Sequence, residues 1–307
     1  MQIICWGVRG SVPVPGPATC RYGGNTPCVE VCAGDTRVIV DAGTGIFPLG
    51  RRLAPNPAHY DLLLSHLHWD HIQGLPFFAP LRHAGVSLTI HVPVGCLSLL
   101  RELVFNANCH RYLAAPFGRP AADIQFETFA CPAPENRVPG ARWSIGEIEI
   151  GTVNLNHPGH SVGFRLSTAG RSVVYYSDTA PFDEILFGSE YLGQAPHKDT
   201  KLAGAERERL AAMRQAAIDL AAGADLLIFD SHLTRQEYPQ FPHYGHSTPD
   251  HALEMAIAAQ VRELVLFHHA PARSDTELAK LEEQYRSMAG AHGVALRAAR
   301  EGERINL

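Results

Sequence analysis

Short runs of apolar residues, some continuous and some alternating with polar residues, recur along the chain and predict β-strands. The predicted strands are residues 2–7, 27–32, 37–41, 61–65, 87–92, 143–151, 161–167, 172–177, 225–230 and 263–267. Helical patterns and capping signals predict helices at residues 46–53, 71–76, 95–106 and 205–222, and two more that start near 247–250 and 274–277. The alternation favours an α/β fold: one domain over residues 1–307, with two β layers flanked by helices.

Two stretches do not fit this alternation. Residues 109–140 are rich in proline and show no clear period, so they are predicted to be an irregular insertion. With residues 181–204, they are expected to form loops over a site or a contact between subunits. Their aromatic side chains suit core packing as well as stacking on a base: Tyr112, Phe117, Phe187 and Tyr191.

The strongest chemical signal is the run His66-Leu67-His68-Trp69-Asp70-His71, which directly follows a predicted buried strand. Neutral imidazoles and a carboxylate are ligands for Zn²⁺, and also for Mn²⁺ or iron. Three histidines and an aspartate within six residues can serve two ions, with His66 and His68 on one ion and Asp70 and His71 on the other.

Further ligand-type residues follow later strands, as an incomplete coordination sphere requires. His157 and His160 follow a strand predicted around residues 152–155, Asp178 ends the next hairpin, and His268 and His269 end the last apolar strand. Asp178 has two oxygens and can bridge two ions. His157 and His268 are preferred over His160 and His269 because they lie directly at their strand ends.

In this order, His66–His71, His157, Asp178 and His268 resemble the metallo-β-lactamase superfamily over roughly residues 2–270. The resemblance implies an αββα sandwich, with two mixed sheets flanked by helices and a dinuclear metal site at one sheet edge. The ligands implied for the first ion are His66, His68 and His157. Those implied for the second are Asp70, His71 and His268, with Asp178 bridging the two.

A second resemblance, carried by Gly245-His246-Ser247-Thr248, is to the phosphodiesterase branch of that superfamily, which includes ribonuclease Z and phosphoribosyl cyclic phosphodiesterases. It implies that His246 contacts the substrate phosphate and protonates the leaving oxygen. Asp230, at the end of a predicted strand, is expected to orient His246 and favour its charged form.

Glycine-rich N-terminal segments also resemble the phosphoribosyl cyclic phosphodiesterases. Residues 7–11 and 22–26, together with Asp41-Ala-Gly-Thr-Gly45, carry this resemblance. Within them, Arg9 can clamp a phosphate and Asn25 can donate a hydrogen bond to it. The alternative is equally weighted: the glycines only serve tight turns, and Arg9 pairs with a carboxylate at the edge of the core. Cys20, Cys28 and Cys32 suggest a structural zinc site, but their spacing favours buried free thiols.

Composition narrows the function classes. The formal net charge is −5, with 26 Lys and Arg against 31 Asp and Glu, and only three of the basic residues are lysines. This balance argues against a general nucleic-acid binder. There is no apolar run long enough to span a membrane and no visible secretory signal, and the seven irregularly spaced cysteines indicate a reducing, cytoplasmic compartment.

The sequence therefore predicts a metal-dependent phosphodiesterase with two divalent ions, Zn²⁺ or else Mn²⁺. A hydroxide between the ions would attack phosphorus, and Asp70 would orient it or accept its proton. The favoured substrate is a cyclic nucleotide or a cyclic ribose phosphate, and the resemblance implies a homodimer. The alternatives are a hydrolase of a carbonyl substrate (a lactone, thioester or β-lactam), an RNA nuclease similar to ribonuclease Z, di-iron oxygen chemistry, and a metal-stabilised sensor without catalysis.

Overall fold

The computed structural model describes residues 1–53, 58–106, 113, 120–130, 140–188 and 202–307. The strands in chain order are β1 (Gln2–Gly7), β2 (Cys28–Ala33), β3 (Thr36–Val40), β4 (His59–Leu63), β5 (Ser87–Pro93), β6 (Asp123–Phe129), β7 (Arg142–Ile145), β8 (Ile148–Asn154), β9 (Val162–Thr168), β10 (Arg171–Tyr176), β11 (Leu226–Asp230), β12 (Glu263–Phe267), β13 (Ala295–Ala298) and β14 (Arg304–Asn306). The α-helices are α1 (Ile46–Arg52), α2 (Trp69–Ile72), α3 (Leu97–Val104), α4 (Gly204–Ala221), α5 (Pro249–Ala258) and α6 (Asp275–Gly290).

The chain divides into two compact units, each with its own sheet. Unit 1 comprises Met1–Ala130 and Arg300–Asn306, and its sheet has the strand order β14-β1-β2-β3-β4-β5-β6. The pairs from β14 to β3 are antiparallel, and those from β3 to β6 are parallel. The carboxyl ends of parallel strands are where α/β sheets usually carry their ligand-binding residues. In unit 1, the ends of β3 and β4 lead to Asp41 and to the run starting at His66.

Unit 2, Cys131–Ala299 with Leu307, has the strand order β13-β12-β11-β10-β9-β8-β7. Strands β7 to β10 pair in antiparallel fashion, and β10 to β13 in parallel. All five residues of β11 are buried, as the apolar Leu-Leu-Ile-Phe sequence of a central parallel strand requires. Helix α4 is tied to this sheet by Tyr176, whose hydroxyl donates to the carbonyl oxygen of Ala217 at 2.7 Å.

The predicted fold class, two mixed sheets flanked by helices, is confirmed. The Ala169-Gly170 turn joins β9 to β10, with φ of 47° and 75° as a tight hairpin turn requires. The predicted capping box is also present, because Ser274 Oγ accepts from the backbone N–H of Glu277. The single-domain organisation stays a prediction.

Three predicted elements differ from the structure. The strand predicted over 143–151 is the hairpin β7–β8, whose two-residue turn begins with Gly146 at a φ of 52°. The helix predicted over 71–76 starts at Trp69 and ends at Ile72, because the backbone N–H of Gly74 donates to Ala42 instead of continuing the helix.

The stretch predicted to be irregular, residues 109–140, contains strand β6. Its Ile-Gln-Phe-Glu sequence alternates correctly for a strand at the edge of a sheet, but prolines on both sides hide that signal. The rest of that stretch lies largely outside the described residues, as do Tyr112, Phe117 and Tyr191. Phe187 is described, half-buried, and donates its backbone N–H to Asn156 Oδ1.

Candidate functional site

Unit 1 contains a cluster of polar side chains at the ends of β3 and β4, called here the N-terminal cluster, in which all members are buried except the half-buried His68. Its members are Asp41, Ser65, His66, His68, Asp70 and His71. His66 Nε2 lies 2.9 Å from His68 Nδ1, with the two rings nearly perpendicular at 79°. Two imidazole nitrogens that face each other this closely suit a shared ion, since tetrahedral Zn–N bonds of about 2.0–2.1 Å place ligand nitrogens roughly 3.3 Å apart.

Asp41 organises this cluster, and its role is one that the sequence analysis missed. Its Oδ1 accepts from the backbone N–H of Ser65 at 2.8 Å, and its Oδ2 accepts from Ser65 Oγ at 2.9 Å. The same Oδ2 lies 2.8 Å from His71 Nδ1, which leaves Nε2 of that ring as the metal-binding nitrogen. A carboxylate behind a histidine in this way fixes the ring and strengthens it as a ligand.

Asp70 is held by the backbone. Its Oδ2 accepts from the N–H of Ser11 at 2.8 Å and lies 3.5 Å from His71 Nε2. Ser11 has a φ of 64°, a left-handed conformation that costs a serine about 1–3 kcal/mol and is usually found where function requires it. The strain indicates that the Ser11 loop is shaped to hold this carboxylate.

Unit 2 contains a second group, called here the C-terminal cluster. Its members, each at least nine-tenths buried, are His157, Asp178, Asp230, His232, His246 and His268. Asp178 lies at its centre, with Oδ1 3.1 Å from His268 Nε2 and Oδ2 3.5 Å from His157 Nε2. His157 Nδ1 donates to the carbonyl oxygen of Gly245 at 2.7 Å, which directs its Nε2 towards Asp178.

The backbone is strained where this cluster leaves its strands. Asp178 directly follows Ser177 at the end of β10, and His268 follows β12; their φ values are 34° and 58°. Non-glycine residues in this region cost about 1–3 kcal/mol each, and such strain is concentrated at functional sites. The two strand ends are therefore shaped to bring these ligand-type side chains together.

His246 and Asp230 form the pair expected from the sequence. Asp230 Oδ2 lies 2.8 Å from His246 Nδ1 and also accepts from the backbone N–H of Thr179 at 3.1 Å, while its Oδ1 accepts from the N–H of His232 at 2.9 Å. Burial raises the pKa of Asp230 to about 6, against the opposing effect of the nearby His268. The two backbone N–H groups that donate to this carboxyl group favour its ionised form, which can stabilise a protonated His246.

His232 is the other residue that the sequence analysis missed. Its ring stacks on that of His246, with centroids 4.4 Å apart and an angle of 22°. Its Nδ1 donates to the carbonyl oxygen of His268 at 3.1 Å, and burial with two neighbouring imidazoles lowers its pKa to about 3. A neutral, fixed ring next to His246 limits how that side chain can turn, although His232 can also offer a nitrogen to an ion with His246 and His268.

The competing histidines have other surroundings. His269 is buried and its Nε2 donates to the carbonyl oxygen of Ala299 at 3.0 Å, whereas His160 is exposed. Of the described residues, it is therefore His157 and His268 that the fold directs towards Asp178.

The two predicted phosphate-binding residues have internal partners. Arg9 is fully buried, and its Nε donates to the carbonyl oxygen of Gly23 at 2.8 Å. Asn25 donates from Nδ2 to Glu301 Oε2 at 2.9 Å and accepts from Thr44 Oγ1 at 3.0 Å. Both side chains therefore support the turn of the N-terminal segment, and their role towards a substrate stays a prediction.

The cysteines of the described part of the chain are free thiols: Cys5, Cys20, Cys28, Cys32 and Cys96. Cys20 is exposed and Cys28 is fully buried. Burial raises the pKa of the Cys28 thiol well above its ordinary value. A neutral buried thiol behaves as a small apolar side chain and not as a zinc ligand.

Each cluster by itself fits a borderline divalent ion. The donors are imidazole nitrogens and carboxylate oxygens, which Zn²⁺ and Mn²⁺ accept, and hydrogen bonds to Asp41, Gly245 and the backbone fix which nitrogen of a ring is presented. The structure therefore supports the prediction that the protein binds metal. The number and the identity of the ions stay predictions.

Comparison with known proteins gives the family. Residues 36–194, just over half of the chain, match the model of the beta-lactamase superfamily domain. The chain is 26% identical over 294 residues to a ribonuclease Z of Mycobacterium avium, covering 90% of this chain and 88% of that protein. It is 29% identical over 224 residues to a ribonuclease Z of Lactiplantibacillus plantarum, covering 67% and 68% of the two chains.

Among solved structures, the short form of human tRNase Z superposes with a TM-score of 0.64 at 17% identity, over 100% of this chain and 99% of the other. The likeness supports the fold described above. With these relatives, the predicted enzyme class, a metal-dependent hydrolase, is confirmed. The protein belongs to the beta-lactamase superfamily.

Proposed function

We propose that this protein is a dinuclear metal-dependent phosphodiesterase, and that its substrate is a cyclic nucleotide or a cyclic ribose phosphate. The observation that carries the proposal is the buried pair of Asp230 and His246 within the C-terminal cluster. A carbonyl hydrolase whose metals polarise the substrate has little use for such a pair. Hydrolysis of a phosphodiester does need it, because an alkoxide leaving group must receive a proton.

The proton donor in this proposal is His246. Asp230 accepts from Nδ1, so the imidazolium form is stabilised and the other ring nitrogen, Nε2, delivers the proton to the leaving oxygen. His232 keeps the ring plane fixed by stacking on it. After the transfer, the neutral imidazole is still held by the same carboxylate, so the pair is ready to be protonated again.

The proposed metal ligands are those that the family resemblance implies: His66, His68, Asp70, His71, His157, Asp178 and His268. When bound, divalent ions lower the pKa of water and neutralise charge on phosphoryl oxygens. Asp70, fixed by the N–H of Ser11, is the carboxylate proposed to orient the attacking water and accept its proton. We propose Zn²⁺ as the ion, with Mn²⁺ as the substitute that the same oxygen and nitrogen donors accept.

RNA is the second candidate substrate. The relatives named above are ribonucleases, and they match this chain over most of its length. Against RNA stand the net charge of −5 and the three lysines in 307 residues, since binding to a phosphate backbone usually depends on a basic surface. A small cyclic phosphodiester needs no such surface.

The test is a hydrolysis panel on metal-analysed protein. The substrates are bis(p-nitrophenyl) phosphate, 2′,3′- and 3′,5′-cyclic nucleotides, ribose cyclic phosphates, an RNA oligonucleotide, a lactone and a thioester. The proposal predicts turnover of cyclic phosphodiesters and its loss in a His246→Ala variant. Cleavage of the RNA alone would favour the second candidate, and turnover restricted to carbonyl substrates would overturn both.

The assembly and compartment are also proposals. A homodimer is proposed from the family resemblance, and light scattering on the purified chain tests it. No helix in the described ranges is long and apolar enough to cross a membrane. Fractionation of cells that produce the protein tests the proposed cytoplasmic location.

A further inference from the structure

Three buried imidazole rings of unit 2, called here the histidine trio, lie next to one another: His232, His246 and His268. The ring centroids are 4.4 Å apart for the first two, 5.0 Å for the last two, and 5.4 Å for the first and the last. One nitrogen of each ring lies within 4.8 Å of a nitrogen of each of the others. Zinc-bound imidazole nitrogens are about 3.3 Å apart, so the rings need to approach by about 1.5 Å at most to share an ion.

Hydrogen bonds determine which nitrogen two of these rings offer. His232 Nδ1 donates to the carbonyl oxygen of His268 at 3.1 Å, so Nε2 carries the lone pair when the ring is neutral. His246 Nδ1 lies 2.8 Å from Asp230 Oδ2, so Nε2 is the nitrogen that can bind an ion. Metal-binding histidines usually have their other nitrogen held by a carbonyl or a carboxylate in this way. His232 and His246 are therefore both oriented as metal ligands are.

The donor atoms of the histidine trio differ from those of the proposed catalytic ligands. The catalytic set includes the carboxylates of Asp70 and Asp178, which suit Mn²⁺ as well as Zn²⁺, whereas the trio offers imidazole nitrogens alone. Nitrogen donors bind Zn²⁺ more tightly than Mn²⁺. His268 is also a proposed ligand of a catalytic ion, and that cation repels a further ion at the trio. The trio should therefore select zinc and fill only when zinc is in excess.

We propose that the histidine trio binds one additional Zn²⁺ ion, and that this ion inhibits hydrolysis. The ion takes the lone pair of His246 Nε2, and the proton of that nitrogen is released to solvent. The inference rests on the proposed function, in which the same nitrogen delivers a proton to the leaving oxygen. With zinc bound there, the leaving alkoxide must depart without a proton. Excess zinc should therefore have the same effect as the removal of His246.

The experiment raises the zinc concentration on protein that already holds about two zinc ions per chain. The substrates are adenosine 2′,3′-cyclic phosphate, whose leaving alkoxide needs a proton, and bis(p-nitrophenyl) phosphate, whose phenolate leaves more easily. At saturating zinc, we expect turnover of the cyclic nucleotide to fall by about 10²–10⁴-fold, the contribution of a general acid, and that of the aryl ester to fall less. The same excess of Mn²⁺ should leave both rates unchanged. Equilibrium dialysis with metal analysis should find a third zinc ion per chain.

One substitution tests the ligand that only the additional ion uses. His232→Phe removes a nitrogen of the histidine trio and keeps a flat ring next to His246. Each variant is compared with itself at two zinc ions per chain, so that a changed basal rate cancels. His232→Phe should need at least about 10-fold more zinc for half-inhibition, because one of three ligands is lost. The matched control, His292→Phe, removes an exposed histidine that follows α6 in the same unit and should be inhibited as the unaltered protein is.

The outcomes separate the inference from the function on which it rests. If the protein with two zinc ions hydrolyses no phosphodiester, the proposed function fails, and the dialysis still tests the histidine trio. Absence of a third zinc ion, a third ion without inhibition, or equal inhibition by Zn²⁺ and Mn²⁺ overturns the inference. So does a His232→Phe variant that is inhibited at the same zinc concentration as the unaltered protein. The comparison of the two metals needs no substitution, so it tests the inference even if His232→Phe does not fold.

Discussion

The two histidine clusters contain the same kinds of side chain, but the chain supplies them differently. In the N-terminal cluster, the histidines and Asp70 come from the six-residue run 66–71, and Asp41 orients them from the neighbouring strand. In the C-terminal cluster, six residues come from the ends of four different strands and the connections that follow them, between 157 and 268. Most of the first cluster therefore comes from one short segment after β4, and the second brings together segments far apart in the sequence of unit 2.

The difference extends to how the rings are held. Asp41 and Ser65 orient His66 and His71 through a carboxylate and a hydroxyl. In the C-terminal cluster, backbone carbonyl oxygens orient His157 and His232, and ring stacking adds to this. A carboxylate that holds a histidine strengthens that histidine as a metal ligand. In the C-terminal cluster, the fully buried carboxylate of Asp230 instead holds His246. Under the proposed function, the carboxylate that tunes the metal ligands lies in unit 1, and the proposed proton donor lies in unit 2.

Metal removal is expected to have the largest effect, because the side chains of both clusters are proposed to bind the metal ions. Dialysis against a chelator should lower phosphodiester turnover at least about 1000-fold, the scale of charge stabilisation by bound ions. Added Zn²⁺ or Mn²⁺ should restore it. Activity and metal content are measured on the same samples, and full activity after complete metal loss would contradict the account.

Substitution of His246 should prevent the proposed proton transfer without removing bound metal. His246→Ala removes the proton donor, so kcat should fall by about 10²–10⁴-fold while metal content is unchanged. Substrates with a good leaving group, such as bis(p-nitrophenyl) phosphate, need less protonation and should lose less. Loss of one bound ion in this variant would instead make His246 a ligand and contradict its assignment.

Substitution of Asp41 tests whether this carboxylate strengthens metal binding in the N-terminal cluster. Asp41→Asn keeps the size of the side chain but weakens its hold on His71, so metal affinity should fall about 10–100-fold. Competition with a coloured chelator measures the affinity. The matched control is Asp35→Asn in an exposed turn of the same unit, which should bind metal as the unaltered protein does. Equal metal affinity of the two variants would show that Asp41 does not strengthen the metal ligands.

His232 should give the smallest effect, because it acts through its neighbour. His232→Ala frees the ring of His246 on one side and is expected to lower kcat about 10-fold or less, with KM unchanged. His232→Phe keeps a flat ring at that position and should recover most of the loss. If Phe is no better than Ala and both lose metal, His232 is a ligand and not a positioning residue.

Residues that are adjacent in the chain could be predicted from the sequence more readily than residues that only the fold brings together. The run 66–71 is recognisable because its residues are adjacent, and the apolar strand before it is equally clear. His157, Asp178 and His268 could be proposed as ligands because each lies within three residues after a strand and the family resemblance supplies their order. Strands β11 and β12 were predicted within one residue of their observed bounds because each is a continuous apolar run.

What was missed depends on contacts between distant segments. Asp41 is a single strand-end carboxylate, and only its hydrogen bonds to Ser65 and His71 distinguish it from a turn residue. His232 follows Asp230 by two residues, which was the one available signal, yet its stacking on His246 depends on the path of a 13-residue connection. Arg9 shows the converse: a residue typical of phosphate clamps donates to Gly23 inside the fold.

The most direct test of the central claim is metal analysis combined with turnover of bis(p-nitrophenyl) phosphate, on the unaltered protein and on Asp178→Ala and His246→Ala. We expect about two ions per chain in the unaltered protein, fewer in Asp178→Ala, two in His246→Ala, and strongly reduced hydrolysis in both variants. A protein that binds no divalent metal, or one whose hydrolysis survives both substitutions, would contradict it.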